Sequence, residues 1–189
     1  MRIIAGEMRG RQVKAVEGMQ TRPTSDKVKG AIFSVLGDKV LDARVLDLFA
    51  GTGNLAIEAL SRGSCEAVLV EKSFEAHQVI LKNLDQIGVS QKTNLFLMDA
   101  FKYIDRYPNE VFDLIFLDPP YRKELVLKVL LTLKKYSYLT PDGVIVAETA
   151  NDEELSNDTI YPFEVRKSRE YGDTKVWYLQ RIDDEEGEI

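Results

Sequence analysis

The chain has 189 residues, 44% of them hydrophobic and 30% charged, which is the size and usage of one globular domain and speaks against wholesale disorder. No apolar run reaches the ~18–20 residues of a membrane span, the polar start Met1–Glu7 lacks a secretory leader's apolar stretch, and one cysteine (Cys65) with one histidine (His77) speaks against a disulfide framework, a zinc site or a Ser-His-Asp enzyme. The net charge of −6 does not exclude a nucleic-acid partner, because residues 1–30 carry seven bases against three acids while the tail 183–189 carries five acids and no base, and a local basic patch can still neutralise phosphates. A metal-free, cytoplasmic monomer is expected.

Residues 2–5 and 11–16 read as two short strands around Gly6-Glu7-Met8-Arg9-Gly10, which predicts a hairpin with a glycine at each end of its loop. The expected division is a β-hairpin arm over 1–22, a catalytic domain over 23–182 and a solvated, disordered tail over 183–189. Thr24 or Ser25 can cap a helix whose apolar stripe is Val28, Ala31, Ile32, Val35 and Leu36. Gly37 closes it. Beyond that point strands and helices alternate. Strands are predicted at Val45–Ala50, Ala67–Glu71, Asn94–Met98, Phe112–Leu117 and Val144–Glu148, the last entered by a Pro141-Asp142-Gly143 turn. Helices are predicted at Asn54–Arg62, Phe74–Ile87, briefly after Asp99, and at Glu124–Tyr136. Two last strands, near Phe163–Arg169 and Lys175–Leu179, should pair antiparallel. Such alternation predicts a doubly wound α/β domain, its mostly parallel sheet covered on both faces. His77 reads as a surface residue, Trp177 as core, and Arg169 with Tyr171-Gly172-Asp173-Thr174 as a polar turn.

Ligands of such sheets bind beyond the carboxyl ends of the strands, and four consecutive strands carry an acid there: Asp47, Glu71, Asp99 and Asp118. Gly51 and Gly53 let the backbone after the first strand approach a ligand closely. Gly51-x-Gly53-x-x-Ala56, with Glu71 eighteen residues after Gly53, also satisfies a dinucleotide fingerprint. Asp47 argues against that reading, because it would repel a pyrophosphate but suits an α-ammonium group. S-adenosylmethionine carries an ammonium, a sulfonium, a ribose and an adenine, and no phosphate, so three acids match its needs. The fourth opens Asp118-Pro119-Pro120-Tyr121. The Asp118 carboxylate and the Pro119 carbonyl could accept both hydrogens of a nucleobase amine and free its lone pair, while Tyr121 offers a face for stacking. Asp118 would also stabilise the positive charge that develops on that nitrogen.

Asp47-x-Phe49-x-Gly51-x-Gly53 together with Asp118-Pro119-Pro120-Tyr121 resembles the class I S-adenosylmethionine-dependent amino-methyltransferases. More narrowly, Arg2-Ile3-Ile4-Ala5-Gly6, Arg9-Gly10-Arg11, Thr21-Arg22-Pro23-Thr24 and Tyr171-Gly172-Asp173-Thr174 resemble the RsmD-type bacterial enzymes, which methylate the exocyclic N2 of a guanine in small-subunit ribosomal RNA. Ala5 departs from a glycine frequent in that family. The resemblance implies a Rossmann-like class I fold with a seven-stranded sheet. It implies that Asp47, Gly51 and Gly53 hold the methionine end of the cofactor, Glu71 the ribose and Asp99 the adenine, with Phe49, Ala100 and Thr24 completing that set. Asp118, Pro119 and Tyr121 would hold the target base. Arg2, Arg9, Arg11, Lys14 and Arg22 would meet RNA phosphates, in a partly assembled small subunit rather than on naked RNA. The competing readings are an adenine-N6 methyltransferase with the same tetrapeptide, a nicotinamide-dependent oxidoreductase, and a non-catalytic RNA-binding factor.

Overall fold

The computed structural model describes residues 1–16, 25–120 and 124–182. Helix α1 (Asp26–Leu36) starts where the Val28 N–H donates to the Ser25 hydroxyl, a side-chain cap for one orphan donor of the first turn. The chain then runs β1 (Arg44–Asp47), α2 (Asn54–Ser61), β2 (Glu66–Glu71), α3 (Phe74–Ile87), β3 (Thr93–Leu97), α4 (Ala100–Arg106) and β4 (Phe112–Leu117). It continues through α5 (Leu125–Leu133), β5 (Leu139–Ala150), a short α6 (Asn157–Ile160), β6 (Phe163–Tyr171) and β7 (Thr174–Arg181). Among the described residues, no helix is long and apolar enough to cross a membrane.

The seven strands form one sheet in the order β3-β2-β1-β4-β5-β7-β6. The first five pair in parallel, and β7 runs antiparallel to both β5 and β6. This is the mostly parallel sheet with an antiparallel end that the alternation predicts. Side chains alternate along each strand. Val45 and Leu69 therefore pack with α1, α2 and α3 on one face, while Leu46, Val68 and Val70 pack with α4, α5 and α6 on the other. Trp177 is core, as expected. The strand order reverses between β1 and β4, so the crevice that accepts ligands opens beyond Asp47 and Leu117.

Some elements differ from expectation. Strand β1 ends at Asp47 rather than Ala50, although Leu48 N–H still donates to the Phe116 carbonyl and Ala50 N–H to that of Val70. Strand β5 begins at Leu139, and Pro141-Asp142-Gly143 lies inside it as an irregularity: Phe112 pairs with Leu139, and pairing resumes at Leu114 with Val144. Helix α5 is shorter than expected at both ends: Glu124 takes a left-handed conformation (φ 51°) before it, and after Leu133 the Lys135 and Tyr136 N–H groups donate to the Thr132 and Leu133 carbonyls in turns. His77 is half-buried instead of exposed, with a buried Nδ1.

The N-terminal hairpin forms as a short antiparallel pair around an Arg2–Gln12 bridge, with Ile3 N–H donating to the Arg11 carbonyl (3.0 Å), Gly10 N–H to that of Ile3 (2.9 Å) and Val13 N–H to that of Met1 (3.0 Å). Other N–H groups of the segment go to α2. Ile4 and Ala5 N–H groups donate to the Glu58 carboxylate (2.8 and 3.1 Å), and Met8 N–H to the Ser61 hydroxyl (3.0 Å). Ile3 and Val13 are buried in the α1–α3 core, so this segment is seated on the domain. Gly6 (φ 86°) permits the closest approach, because a Cβ there would lie 1.7 Å from the Ser61 carbonyl oxygen.

Candidate active site

A cavity of about 730 Å³ opens at the carboxyl edge of the sheet, within the usual range for small-molecule sites. Asp47, Glu71, Asp99 and Asp118 all line it, so the four strand-end acids converge on one space. The topology explains the convergence: Asp47 and Glu71 end β1 and β2, and Asp99 and Asp118 follow β3 and β4, all at the same edge of the parallel β3-β2-β1-β4 run.

Each acid is held differently. Asp47 is buried in the wall. Loss of water, the nearby Asp118 carboxylate and Glu71 push its carboxyl up to about 8, against partial relief from the Phe49 and Ala56 N–H groups. Glu71 braces the glycine loop, with Oε2 accepting from Gly51 N–H (2.9 Å) and Oε1 from Ser73 N–H (2.7 Å). Asp99 caps α4, where its Oδ1 accepts from Phe101 N–H at 2.9 Å. Asp118 and Phe49 are half-buried, and Pro119 and Ala100 are buried; all four border the cavity.

The two glycines have different reasons. Gly51 (φ 55°) borders the cavity, and a Cβ there would find only the Phe49 carbonyl at 3.9 Å. Gly53 (φ 77°) is absent from the cavity wall. A Cβ at Gly53 would meet Ile57 and Leu69 at 3.3 Å, so the close packing of α2 on β2 adds to its left-handed φ as a reason for glycine. Tyr121, Arg22 and Thr24 lie outside the described residues, as does the tail 183–189.

Sequence reasoning missed several polar residues around this space. Lys29 is fully buried; its Nζ donates to the Arg2 carbonyl (2.7 Å) and to Asn54 Oδ1 (2.6 Å), and pairs with Glu58 at 3.1 Å. Burial lowers its pKa, and Glu58 opposes that shift. Asn54 lines the cavity, so this network joins the N-terminal segment to the site. Asn83 does the same from α3, clamping the Lys14 backbone through N–H and carbonyl while donating to the Thr52 carbonyl (3.0 Å). The available signal was polarity on otherwise apolar helical faces, Glu58 in α2 above all. Asp173 and Thr174, in the turn into β7, also border the cavity.

The basic side chains of the N-terminal segment sit on its outer surface. Arg9 and Lys14 are exposed. Arg2 pairs with Asp26 at 3.1 Å while remaining largely exposed, and Arg11 donates to the Ile87 carbonyl at 2.8 Å.

Comparison with known proteins agrees with this arrangement. The family model described as Conserved hypothetical protein 95 matches residues 1–180. "Putative rRNA methyltransferase YlbH" of Bacillus subtilis is 42% identical over 93% of this chain and 96% of its own length. "Ribosomal RNA small subunit methyltransferase D" of Haemophilus influenzae is 33% identical over 82% of this chain and 81% of its own. The solved structure of "Putative methyltransferase yhhF" from Escherichia coli superposes with a TM-score of 0.85 at 28% identity, covering 96% of this chain and 97% of that one.

Proposed function

Since the chain belongs to the RsmD-type methyltransferase family, described as Conserved hypothetical protein 95, we propose that it methylates the exocyclic N2 amine of a guanine in small-subunit ribosomal RNA, with S-adenosylmethionine as donor. The single observation that carries the reading is the pairing of a buried, cation-seeking Asp47 with Asp118 across one cavity.

The donor fits the residues present. Asp47 is a buried carboxyl crowded by two other acids, and an α-ammonium supplies the cation that would let it ionise. Glu71 retains lone pairs for ribose hydroxyls after its two backbone contacts, and Asp99 keeps Oδ2 for an adenine amine beside its capping contact. A dinucleotide fits poorly. Among the described residues that line the cavity, Lys72 is the one base and five are acids, so a pyrophosphate would meet like charge.

When bound, S-adenosylmethionine supplies an electrophilic methyl on a sulfonium that departs as a neutral thioether. The chain's own residues prepare the nucleophile. The Asp118 carboxylate and the Pro119 carbonyl accept the two amine hydrogens, which keeps the nitrogen lone pair out of the ring. Asp118 then stabilises the positive charge that grows on nitrogen, an electrostatic role, and the methylated amine sheds one of its two original hydrogens to solvent as a proton. Tyr121 is assigned the stacking face for the extruded base. The N-terminal segment meets phosphates through Arg2, Arg9, Arg11, Lys14 and Arg22. Its patch is small, which favours a partly assembled subunit, with more surface to dock against, over naked RNA.

Asp118→Ala tests the division of labour. Calorimetry should find S-adenosylmethionine binding nearly as in the wild type and no binding of NAD, while turnover falls by ~10²-fold or more. Turnover at the wild-type rate would remove Asp118 from the chemistry.

A further inference from the structure

Strand β7 runs antiparallel to β5, so its first residue pairs with the last residue of β5 (Thr174 with Ala150). The turn before β7 therefore stands at the same sheet edge where β4 delivers Asp118. Asp173 and Thr174 line the cavity together with Asp118, Pro119 and Pro120. The turn is braced from β5: Asn151 N–H donates to the Asp173 carbonyl at 3.0 Å, and Asn151 Nδ2 to the Gly172 carbonyl at 3.2 Å. Gly172 takes the left-handed conformation (φ 62°) that this tight return requires. A fixed backbone thus carries an exposed carboxylate to the wall of the cavity that Asp118 also borders. The chemistry assigned so far gives that carboxylate no task.

The purine edge supplies one. In guanine the N2 amine lies beside N1–H, so two donors stand in a row, whereas in adenine the N6 amine lies beside an N1 acceptor. With the amine held by Asp118 and the Pro119 carbonyl, the next contact along the base edge is the one that tells the two purines apart. An ionised carboxylate only accepts. It rewards guanine N1–H with a charge-assisted hydrogen bond and opposes the lone pair of adenine N1. We infer that Asp173 is the base-reading residue of this site, accepting the N1–H of the target guanine. This deepens the guanine-N2 reading above and rests on it.

The test uses the full chain and small-subunit particles from cells that lack it. The wild-type protein is assayed first, with mass spectrometry identifying the methylated nucleoside. Asp173→Ala should then lower kcat/KM for guanine about 10- to 100-fold, the scale of one lost charge-assisted hydrogen bond, with S-adenosylmethionine affinity and Tm unchanged. Asp173→Asn, which keeps an acceptor oxygen, should recover part of the loss. Activity of the alanine variant within twofold of wild type overturns the inference, as does an equal loss in both variants or a matching loss of donor affinity. Wild-type protein that methylates adenine and no guanine overturns the guanine reading itself, and this inference with it.

Discussion

Asp47 is the residue at which stability and binding oppose each other. Its folded pKa of about 8 stands above the ordinary 3.8, so between those values the folded protein holds a proton that the unfolded chain releases. Its contribution to stability therefore falls as pH rises from about 4 to about 8 and is flat above. Asp47→Asn should raise the Tm of the ligand-free protein at pH 8.5 and weaken S-adenosylmethionine binding by ~1–3 kcal/mol, the cost of a lost charged contact. Because the ammonium favours the ionised carboxylate, wild-type binding at pH 7 should release a proton, visible by calorimetry in buffers of different ionisation heat. The asparagine variant should release none from this position. Buffer-independent binding heat in the wild type, or undiminished affinity in the variant, would contradict the role assigned to Asp47.

At the scale of elements, the N-terminal segment is held by α2. Glu58 gathers the Ile4 and Ala5 N–H groups, Lys29 Nζ and Arg62 Nε in one buried carboxylate. Glu58→Ala strands the buried Lys29 charge, which should cost ~3–5 kcal/mol in denaturant unfolding and speed amide exchange at Ile4 and Ala5. Unchanged stability and unchanged exchange would show that other contacts seat the segment. The same elements show what was legible in the sequence. Each strand-end acid could be found because a parallel sheet delivers every strand end to one edge, and hydrophobic runs mark those ends. The Lys29–Glu58 pair could not, since the two residues are distant in sequence and only the packing of α1 on α2 brings them together. Gly53 was legible as a glycine requirement, while the close approach of the Leu69 and Ile57 side chains beside it was not. The hairpin was legible from its two glycines, but its seating on Glu58 and Ser61 was not, because no periodicity encodes where Ile4, Ala5 and Met8 N–H groups will donate.

For the whole molecule, net charge is a poor guide and its distribution a good one. An acid-lined cavity and a basic N-terminal surface coexist in a chain of net charge −6. The first suits a cationic donor and an amine, and the second suits phosphates. The Asn83 and Lys29 contacts join the two regions, so the basic surface is fixed relative to the acid-lined cavity. Nucleoside mass spectrometry tests the central claim most directly. Small-subunit ribosomal RNA from cells with this protein, without it, and with its Asp118→Ala form should be digested and compared. We predict one N2-methylguanosine present only with the wild-type protein. The same methylguanosine content in all three samples, or loss of an N6-methyladenosine instead, would contradict the account.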